Sequence, residues 1–289
     1  RPPLVIAGGR RLRGCEHRLE LPSAQVKSAL LLAGLQAEGR TTVHEPGLSR
    51  DHTENMLQAF GVAIARERTS VSLDGPVALV ATRVEIPGDF SSAAFFIVAG
   101  LIAGRAPLLI RGVGVNPTRA ALLDILRLMG GDIRLHRVTD RGGERVADIE
   151  VRPGVLRGIT VPPALVPICM DELPCLFVAA AVADGDTVVT GAGELRVKES
   201  DRLAAMSEGL SALGVAVAPL PDGLRVRGGT VAGGRVDSRG DHRVAMSFAV
   251  LAARAQSPIR IGDVQNVATS FPGFATLARD VGLQLVEAD

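Results

Sequence analysis

The segment Glu194–Arg202 places six ionised side chains within nine residues, directly after an apolar run. The residues before it, Asp186–Gly191, predict a short strand, and the residues after it, Leu203–Met206, predict a helix. The segment therefore lies at a helix N-terminus, where backbone N–H groups point outward and favour the binding of an anion. A solvated, charged turn is the alternative interpretation.

Two cations and an acid in this segment have a spacing that could support catalysis. Lys198 and Arg202 are four residues apart, so a helical conformation would place them on one face. Glu199 lies beside the lysine, and a carboxylate next to a lysine is typical of groups with shifted pKa values. We predict Lys198 and Glu199 as acid–base candidates. For Glu199, a structural ion pair is the alternative.

Other charged residues could complete an acid–base and anion-binding site. Asp171 precedes the almost wholly apolar stretch Leu173–Val182, which would desolvate part of its carboxylate. We predict that Asp171 acts as a general base, with a helix-capping aspartate as the alternative. The planar guanidinium groups of Arg50, Arg202 and Arg243 could each bind a phosphate or carboxylate through two hydrogen bonds.

Four stretches of the chain share one order of elements, and this order would position the charged residues. In each stretch an apolar helix with a polar N-terminus leads to a strand, a polar loop, a second helix and another strand. A Ser or Asp stands where the first helix needs an N-cap, and a glycine stands where the second helix needs a left-handed C′ residue. The predicted N-caps are Ser23, Ser91, Asp171 and Asp241, and the predicted C′ glycines are Gly61, Gly130, Gly214 and Gly282.

The apolar helices also predict how the layers are arranged. A helix that is apolar on nearly all sides, such as Leu173–Val182, must be enclosed by other elements. We therefore expect an α/β fold with the helices inside and the sheets outside. A predicted strand at Arg83–Ile86 meets Pro87 and Gly88, and this change of character suggests a hinge between two domains.

Composition limits the class of partner. With 289 residues, of which 47% are hydrophobic and 22% charged, the chain can form one large or two ordinary domains. A net charge of +1 excludes a broad nucleic-acid or membrane footprint, so we expect a small partner recognised by local clusters. The absence of Trp and Tyr argues against stacking platforms for single-stranded nucleic acid.

The cysteines and the first residues bear on the cellular setting. Cys15, Cys169 and Cys175 leave one thiol unpaired in any disulfide scheme and match no metal-ligand spacing, which favours a reducing, cytoplasmic compartment. No apolar stretch reaches the roughly 20 residues that span a bilayer. The chain opens on Arg1–Pro3 without a methionine or a signal peptide, so we expect a processed or truncated product.

Several longer motifs together indicate a family. They are Pro22–Ala29 (PSAQVKSA), Ser49–Glu54 (SRDHTE), Glu194–Arg202 (ELRVKESDR), Asp241–Met246 (DHRVAM) and Thr269–Pro272 (TSFP). In this order they closely resemble 5-enolpyruvylshikimate-3-phosphate synthase, the 3-phosphoshikimate 1-carboxyvinyltransferase family. The likeness covers essentially the whole chain and is more specific than a single Gly-rich loop. It is closest to the bacterial class that tolerates glyphosate.

The resemblance implies a fold and a division into domains. The fold would be the enolpyruvyl transferase fold, an inside-out α/β barrel of βαβαββ units with three units in each of two domains. Residues 1–86 would form the last unit of one domain, which is then incomplete. Residues 87–289 would form the complete other domain, so four of the usual six units would be present.

The resemblance also implies a reaction and roles for its residues. The family transfers the carboxyvinyl group of phosphoenolpyruvate to the 5-hydroxyl of shikimate 3-phosphate, with release of phosphate, in the shikimate pathway of aromatic amino acid biosynthesis. Asp171 would take the hydroxyl proton, Lys198 would contact both substrates, and Glu199 would transfer the proton at the methylene carbon. No metal or organic cofactor is expected. The substrate-binding residues implied are Ser23, Ala24, Gln25 and Arg50 for shikimate 3-phosphate, and Arg202 and Arg243 for phosphoenolpyruvate.

The sequence departs from the family at one end. The family's N-terminal segment, with its Gly-Asp-Lys-Ser motif, and a later loop with a substrate-binding arginine have no counterpart here. Loss of two cations from such a site should cost at least a few kcal/mol of transition-state stabilisation. We therefore expect little or no activity from this chain alone. We also expect a monomer that could pair with the missing segment.

Two other functions remain as alternatives. One is the enolpyruvyl transferase that acts on UDP-N-acetylglucosamine, which has a reactive cysteine on a mobile loop; its loop pattern is absent around the three cysteines. The other is a non-catalytic fragment that serves as a scaffold or needs a separate N-terminal piece.

Overall fold

The chain forms two compact units, each described here by itself. The computed structural model describes residues 3–6 and 8–286, so the predicted outer domain limits at residues 1 and 289 lie outside the described residues. Unit 1 comprises Arg1–Ile86 and Asp140–Arg145, and unit 2 comprises Pro87–Thr139 and Val146–Asp289. The sequence gives no sign that residues 140–145 belong to unit 1. Within unit 1, Glu144 Oε1 of this segment lies 2.7 Å from His52 Nδ1.

Unit 1 contains one mixed sheet and two helices. Its elements in the described residues are β1 (Glu16–Arg18), α1 (Ala24–Gly34), β2 (Gly39–His44), α2 (His52–Ala59), β3 (Ala65–Arg66) and β4 (Ser70–Gly75). The strand order is β1-β2-β4-β3, with β1 parallel to β2 and β4 antiparallel to both of its neighbours. Buried residues of both helices, such as Leu31 and Leu57, pack on Val43 and Leu73 of the sheet, so one small apolar core holds unit 1 together.

Unit 2 contains three small sheets and a larger set of helices. Its elements in the described residues, of which β6 and β7 have their adjoining ends within residues 140–145 of unit 1, are α3 (Phe90–Ile102), β5 (Leu108–Gly114), α4 (Ala121–Leu128), β6 (Asp132–Arg141), β7 (Glu144–Arg152), α5 (Leu173–Ala181), β8 (Asp186–Val189), α6 (Arg202–Ala212), β9 (Ala216–Leu220), β10 (Gly223–Arg227), β11 (Gly234–Asp237), α7 (His242–Leu251), β12 (Ile259–Gly262), α8 (Asn266–Ser270) and α9 (Phe274–Asp280). The sheet orders are β5-β7-β6, β8-β10-β9 and β11-β12.

The first step of each predicted unit is a pair of parallel segments joined by an apolar helix. In unit 1 the pair is β1 with β2. In unit 2 the pairs are Gly88 with Val113, Thr160 with Val188, and β11 with β12. The helices that join them are α1, α3, α5 and α7.

The four predicted C′ glycines have the left-handed conformation that the sequence pattern required. Each follows the second helix of its unit, where a side chain would be strained. Their φ angles are 84° for Gly61, 94° for Gly130, 81° for Gly214 and 95° for Gly282. This part of the sequence-based prediction is confirmed.

The predicted enclosure of the apolar helices is also confirmed in unit 2. Helices α3, α5 and α7 contact one another, and every residue of α5 is buried. Edge-to-face contacts between phenylalanine rings, such as Phe95 with Phe274 and Phe96 with Phe271, extend this core to the end of the chain's helical part. In the described part of the chain, no helix has the length and hydropathy to cross a membrane.

Several predicted details are wrong. Ser91 does not cap α3, because Asp89, two residues earlier, is the N-cap and accepts from the Ser92 N–H at 2.7 Å. Asp171 does not cap α5, because it lies inside a 3-10 turn that precedes the helix.

Two predicted strands do not form. The segment Arg83–Ile86 is exposed and has no strand assignment in the described structure. The strand that the repeated order predicts after Gly282 is also absent from the described residues, because the Leu283 N–H bonds to Ala278 O at 2.9 Å and closes α9 instead.

Candidate active site

Asp171 lies within a cluster of cationic side chains in unit 2. Arg119 Nη1 lies 3.3 Å from Asp171 Oδ2. On the other oxygen, Arg202 Nη1 lies 3.7 Å and Lys198 Nζ lies 3.9 Å from Oδ1. Arg243 Nη1 donates to the backbone carbonyl of Asp171 at 3.2 Å. Cations from different elements therefore meet at Asp171: those of α6 and of the loops before α4 and α6 face its carboxylate, and that of α7 binds its backbone carbonyl.

Arg202 is the most deeply buried of these cations, with 1% of its side chain exposed. Its Nε donates to Asp241 Oδ2 at 2.7 Å, and its Nη2 donates to Glu199 Oε2 at 2.6 Å. Its Nη1 faces Asp171. The three guanidinium nitrogens thus face three carboxylates, and Glu199 pairs with Arg202 and not with its neighbour in the sequence, Lys198.

The expectation that Lys198 and Arg202 share a helix face is wrong. Helix α6 begins at Arg202, because the Asp201 carboxylate accepts a backbone N–H at 2.9 Å and caps the helix there. Lys198 precedes the helix in an extended conformation, with φ −79° and ψ −156°. Its Nζ donates to Glu194. The two cations meet at the same carboxylate because the chain turns between them.

Asp241 fixes the start of α7, which carries Arg243. Its Oδ1 accepts from the N–H groups of Arg243 at 2.9 Å and Val244 at 3.3 Å, which confirms the predicted N-cap. Burial by itself would raise the pKa of Asp241. The hydrogen bond and charge of Arg202, together with the two backbone donors, outweigh burial and lower this pKa. Burial and the charge of Arg243 lower the pKa of His242, which favours the neutral ring.

Glu172 is a fully buried acid next to Asp171. Its Oε1 accepts from Ser91 Oγ at 2.5 Å and lies 3.5 Å from Arg119 Nη2 and 3.7 Å from Arg243 Nη1. Within the described structure, its Oε2 is buried without a hydrogen-bond partner. Burial raises the pKa of Glu172, and the nearby arginine and serine oppose burial only in part.

The cluster contains further carboxylates besides Asp171. Carboxylates accompany the cations: Asp241 and Glu199 on Arg202, and Glu194 on Lys198. An anionic ligand would therefore have to displace carboxylates from some of these ion pairs. Displacement costs least free energy where the carboxylate is exposed, as it is for Glu199 and Glu194.

The predicted substrate-binding residues of unit 1 lie at helix N-termini. Ser23 caps α1, as predicted, and its Oγ accepts from Val26 N at 3.3 Å. Ala24 and Gln25 form the first turn of α1, with Gln25 exposed. Arg50 is half-buried in the loop between β2 and α2. The N–H groups at the start of α1 make this end of unit 1 suitable for an anion.

A buried ion cluster lies beneath this end of unit 1. Lys27, from the second turn of α1, is 2% exposed and contacts Glu45 Oε2 at 2.9 Å and Glu54 Oε1 at 2.8 Å. Ser49 donates to the other oxygen of Glu45. This cluster ties α1 to α2 and to the loop that carries Arg50.

Sequence reasoning missed several members of both clusters. Arg119, Ser91 and Glu172 were not assigned to the site, nor was Lys27. A signal for Arg119 existed, because it lies at the start of the second helix of its unit, two residues before α4, just as Arg50 lies two residues before α2 and Arg202 begins α6. Nothing in the sequence signalled Glu172 or Lys27, since a charged residue within an apolar helix start is normally expected to face solvent.

Other features of the described structure do not form competing sites. An open pocket of about 500 Å³ in unit 1 is lined by none of the predicted site residues; it is bordered by Arg40, Gln58, Gly61–Ala65, Ser72 and Asp74. The described residues contain no group of three His, Cys, Asp or Glu side chains that could hold a metal ion.

The two buried cysteines do not resemble reactive nucleophiles. Cys169 and Cys175 are buried, and burial raises the pKa of Cys169 well above its ordinary value and that of Cys175 to about 12. Since the thiolate is the reactive form, neither thiol is poised for attack at neutral pH.

The sequence matches the family EPSP synthase (3-phosphoshikimate 1-carboxyvinyltransferase) over residues 1–277. The chain belongs to the EPSP synthase family. A curated relative from Methylococcus capsulatus, named 3-phosphoshikimate 1-carboxyvinyltransferase, is 54% identical over 283 residues, which cover 98% of this chain and 65% of the relative. The chain thus spans less than two thirds of the length of that EPSP synthase.

Solved structures give the same family and fold. An EPSP synthase from Acinetobacter baumannii matches with a TM-score of 0.93 and 46% identity, covering 98% of this chain and 66% of that one. The enolpyruvyl transferase NikO from Streptomyces tendae matches with a TM-score of 0.74 at 22% identity, which is a likeness of fold alone. The predicted α/β enolpyruvyl transferase fold is confirmed at this level.

Proposed function

We propose that the chain carries a major part of an EPSP synthase site, which transfers the carboxyvinyl group of phosphoenolpyruvate to the 5-hydroxyl of shikimate 3-phosphate. The observation that supports this proposal best is the meeting of Lys198, Arg202 and Arg243 at Asp171. One carboxylate among cations suits a reaction that removes a hydroxyl proton beside anionic substrates. The identity of the two substrates is proposed from membership of the EPSP synthase family.

In this proposal the residues of unit 2 carry the proton transfers. Asp171 accepts the proton of the 5-hydroxyl as the hydroxyl oxygen bonds to C2 of phosphoenolpyruvate. Glu199 protonates the methylene carbon of phosphoenolpyruvate. The tetrahedral intermediate then returns a proton from its methyl group to Glu199 as its C–O bond to the phosphate group breaks, which leaves the carboxyvinyl ether and inorganic phosphate. Lys198 contacts both substrates.

The two arginines bind phosphoenolpyruvate. Arg202 has its plane fixed by Asp241, which leaves its Nη groups oriented without further ordering cost. Arg243 is fixed at the start of α7. Two preoriented guanidinium groups suit the carboxylate and the phosphate of this substrate.

In unit 1, we assign Ser23, Ala24 and Gln25 to shikimate 3-phosphate and Arg50 to its phosphate. The capped start of α1 supports this assignment, because its first-turn N–H groups favour an anion. Gln25 is exposed at the first turn, where its amide could reach a ligand.

The remaining finer assignments rest on the motifs and on the partial coverage of relatives. We propose that residues 1–86 are the last βαβαββ unit of one domain and 87–289 the complete other domain, so four of six units are present. The part of the relatives that this chain does not match would supply further cations, and the chain alone would have little or no activity. A likeness to the glyphosate-tolerant class, a monomeric state and a cytoplasmic location stay predictions.

Phosphate release tests the proposal. The chain is assayed alone and with the part of the Methylococcus capsulatus relative that it does not match, added as a separate polypeptide. We expect turnover only in the mixture, and a loss of about 100-fold or more in Asp171→Asn. The matched control Asp186→Asn removes an exposed carboxylate on β8 and should leave the rate unchanged. Equal turnover in Asp171→Asn and the control would refute the assignment of Asp171.

Calorimetric titration separates the enzyme proposal from the scaffold alternative. Weak binding of shikimate 3-phosphate by the chain alone supports a partial substrate site. A substitution at the start of α1, Gln25→Ala, should weaken that binding, whereas Gln36→Ala at the other end of α1 should not. Complete absence of binding, in the chain and in the mixture, would favour a scaffold.

A further inference from the structure

Arg119 reaches Asp171 from a loop that has no role in the proposed reaction. The loop joins β5 to α4, and its conformation is fixed by Asn116. The Asn116 carbonyl accepts from Arg119 N at 2.9 Å, and its side-chain oxygen accepts from the N–H and the hydroxyl of Thr118 at 2.8 and 2.7 Å. The backbone of Arg119 is therefore held in place, and its side chain is almost fully buried.

Ser91 and Glu172 hold the guanidinium group of Arg119, and the more exposed Asp89 Oδ1 lies 3.9 Å from its Nη2. Ser91 Oγ contacts Arg119 Nη2 and lies 2.5 Å from Glu172 Oε1. Arginine can only donate, so the serine hydroxyl accepts from Arg119 and gives its single proton to Glu172. Glu172 Oε1 also lies 3.5 Å from Nη2. These contacts set the plane of the guanidinium group and direct Nη1 towards Asp171.

The two oxygens of Asp171 consequently face different groups. Oδ2 faces Arg119 at 3.3 Å, which is close enough for a hydrogen bond. Oδ1 faces Arg202 and Lys198 at 3.7 and 3.9 Å, which are ion-pair distances longer than a hydrogen bond. Arg119 thus orients the carboxylate so that its other oxygen is directed to the cations assigned to the substrates.

We propose that Arg119 is a positioning residue, which with Ser91 and Glu172 holds the Asp171 carboxylate so that Oδ1 accepts the proton of the substrate hydroxyl. This inference rests on the proposed function, in which Asp171 is the proton acceptor. Arg119 acts through its contact with Asp171 and has no proton-transfer step of its own. It lies outside the motifs that carry the family resemblance.

The proposal has a consequence for the ionisation of Asp171. An adjacent guanidinium group stabilises a carboxylate and lowers its pKa, so loss of Arg119 should raise the pH at which Asp171 becomes a base. Other charged groups at Asp171 include Lys198, Arg202 and Arg243, together with Glu172. The carboxylates of Asp241, Glu199 and Glu194 act at one remove, on Arg202 and Lys198.

Carbon-13 NMR of the aspartate carboxyl groups tests this coupling in the 289-residue chain, with the Asp171 signal assigned from Asp171→Asn. We expect Arg119→Gln to raise the titration midpoint of Asp171 by about one pH unit or more. Arg119→Lys keeps the positive charge but not the forked guanidinium group, and should shift the titration midpoint of Asp171 by less. The matched control Arg105→Gln removes an exposed arginine of unit 2 and should give none. An unchanged midpoint in a folded Arg119→Gln chain overturns the proposal.

Turnover in the mixture with the relative's segment supplies a second readout. Arg119→Gln should lower kcat, leave KM for phosphoenolpyruvate within about twofold, and move the acid limb of the kcat profile to higher pH. Arg119→Lys should restore part of the rate. If Arg119→Gln does not fold, Ser91→Ala and Arg119→Lys give the same test with smaller expected shifts.

The two readouts also separate this inference from the function on which it rests. Absence of turnover in the wild-type mixture counts against the proposed function. The carboxyl titration still decides whether Arg119 controls Asp171. An acid limb that stays in place in Arg119→Gln, in a mixture that turns over, also contradicts the positioning role.

Discussion

Arg202 Nε donates to Asp241 Oδ2 at 2.7 Å in an ion pair whose side chains are 1% and 0% exposed. The pair joins the N-terminus of α6 to that of α7. Since Asp241 also caps α7, one carboxylate sets both the position of Arg202 and the start of the helix that carries Arg243. The two cations assigned to phosphoenolpyruvate are thereby linked through a single buried acid.

Asp241→Asn should destabilise the chain by about 3 kcal/mol or more at pH 7, because it removes the most deeply buried of the carboxylates that face the Arg202 guanidinium group. The amide can still cap α7, so the loss reports mainly the ion pair. The pKa of Asp241 is lowered in the folded state, so its contribution is present above the unfolded pKa of about 3.9 and is lost as the pH falls through the folded pKa. Urea unfolding followed by circular dichroism at several pH values measures this difference.

Asp201→Asn is the control for that measurement. Asp201 caps α6 and pairs with Arg196 at 3.2 Å, but a third of its side chain is exposed. Its loss should cost about 1 kcal/mol or less. Equal losses for the two variants would show that burial of the Asp241 pair has no special weight.

Relative to wild type, Glu172→Gln should have a higher free energy of unfolding at neutral pH than at acidic pH. Burial raises the pKa of Glu172, so the wild-type residue contributes stability that is fully present below its unfolded pKa of about 4.3 and is lost as the pH rises through its folded pKa. Glutamine does not titrate. The free energy of unfolding of Glu172→Gln relative to wild type should therefore rise between pH 4 and pH 7, in the same urea series.

A general effect of net charge must be separated from that result. Glu208→Gln removes a carboxylate from the exposed face of α6, where it pairs with Arg239. If Glu208→Gln gives the same trend with pH as Glu172→Gln, the trend does not come from burial of Glu172.

The sequence predicted local features better than contacts between repeats. The C′ glycines, the enclosure of α5 and the capping of α1 by Ser23 and of α7 by Asp241 follow from local pattern and were confirmed. The contact of Arg119 with Glu172 joins residues 53 positions apart in different repeats, and no periodicity encodes it. The N-cap of α3 was misplaced by two residues because Asp89 and Ser91 are both good caps, and only the helix start decides between them.

The sequence correctly predicted that Lys198 and Arg202 lie close together, but the predicted cause, a shared helix face, is wrong. A spacing of four residues suggested one helix face, but the capping residue Asp201 places the helix start after Lys198. The two side chains still meet at Asp171, through a turn whose geometry depends on the 3-10 segment Gly193–Val197. Spacing alone could not distinguish these two arrangements.

Lys27→Met should cost unit 1 about 3–5 kcal/mol, because it leaves Glu45 and Glu54 buried without their shared cation. Methionine keeps the length and the apolar stem of the side chain, so packing is little changed. Hydrogen exchange should show faster opening of α1 and β2, which locates the effect in unit 1. Neither Trp nor Tyr is present to report it by fluorescence.

Two further variants make the Lys27 result specific. Lys27→Met with Glu54→Gln removes one of the stranded charges and should recover part of the loss. Arg18→Met removes an exposed cation of unit 1, 3.7 Å from Glu16, and should change stability by no more than about 0.5 kcal/mol. A double variant less stable than Lys27→Met would contradict the role of the buried carboxylates.

Gly209→Ala should destabilise unit 2 even though alanine favours helices by about 1 kcal/mol over glycine. A Cβ at position 209, in the middle of α6, would lie 2.3 Å from Cζ of Phe248 on α7, whose side chain is fully buried. The ring has no room to move, so overpacking should cost about 1–3 kcal/mol net. Because α6 and α7 carry Arg202 and Arg243, the displacement of these helices should also weaken phosphoenolpyruvate binding in the mixture.

Ser211→Ala, at an exposed position of α6, should be neutral or slightly stabilising, and adding Phe248→Leu to Gly209→Ala should recover part of the loss of stability. Stability of Gly209→Ala equal to or above wild type would mean that the two helices are free to separate at this point.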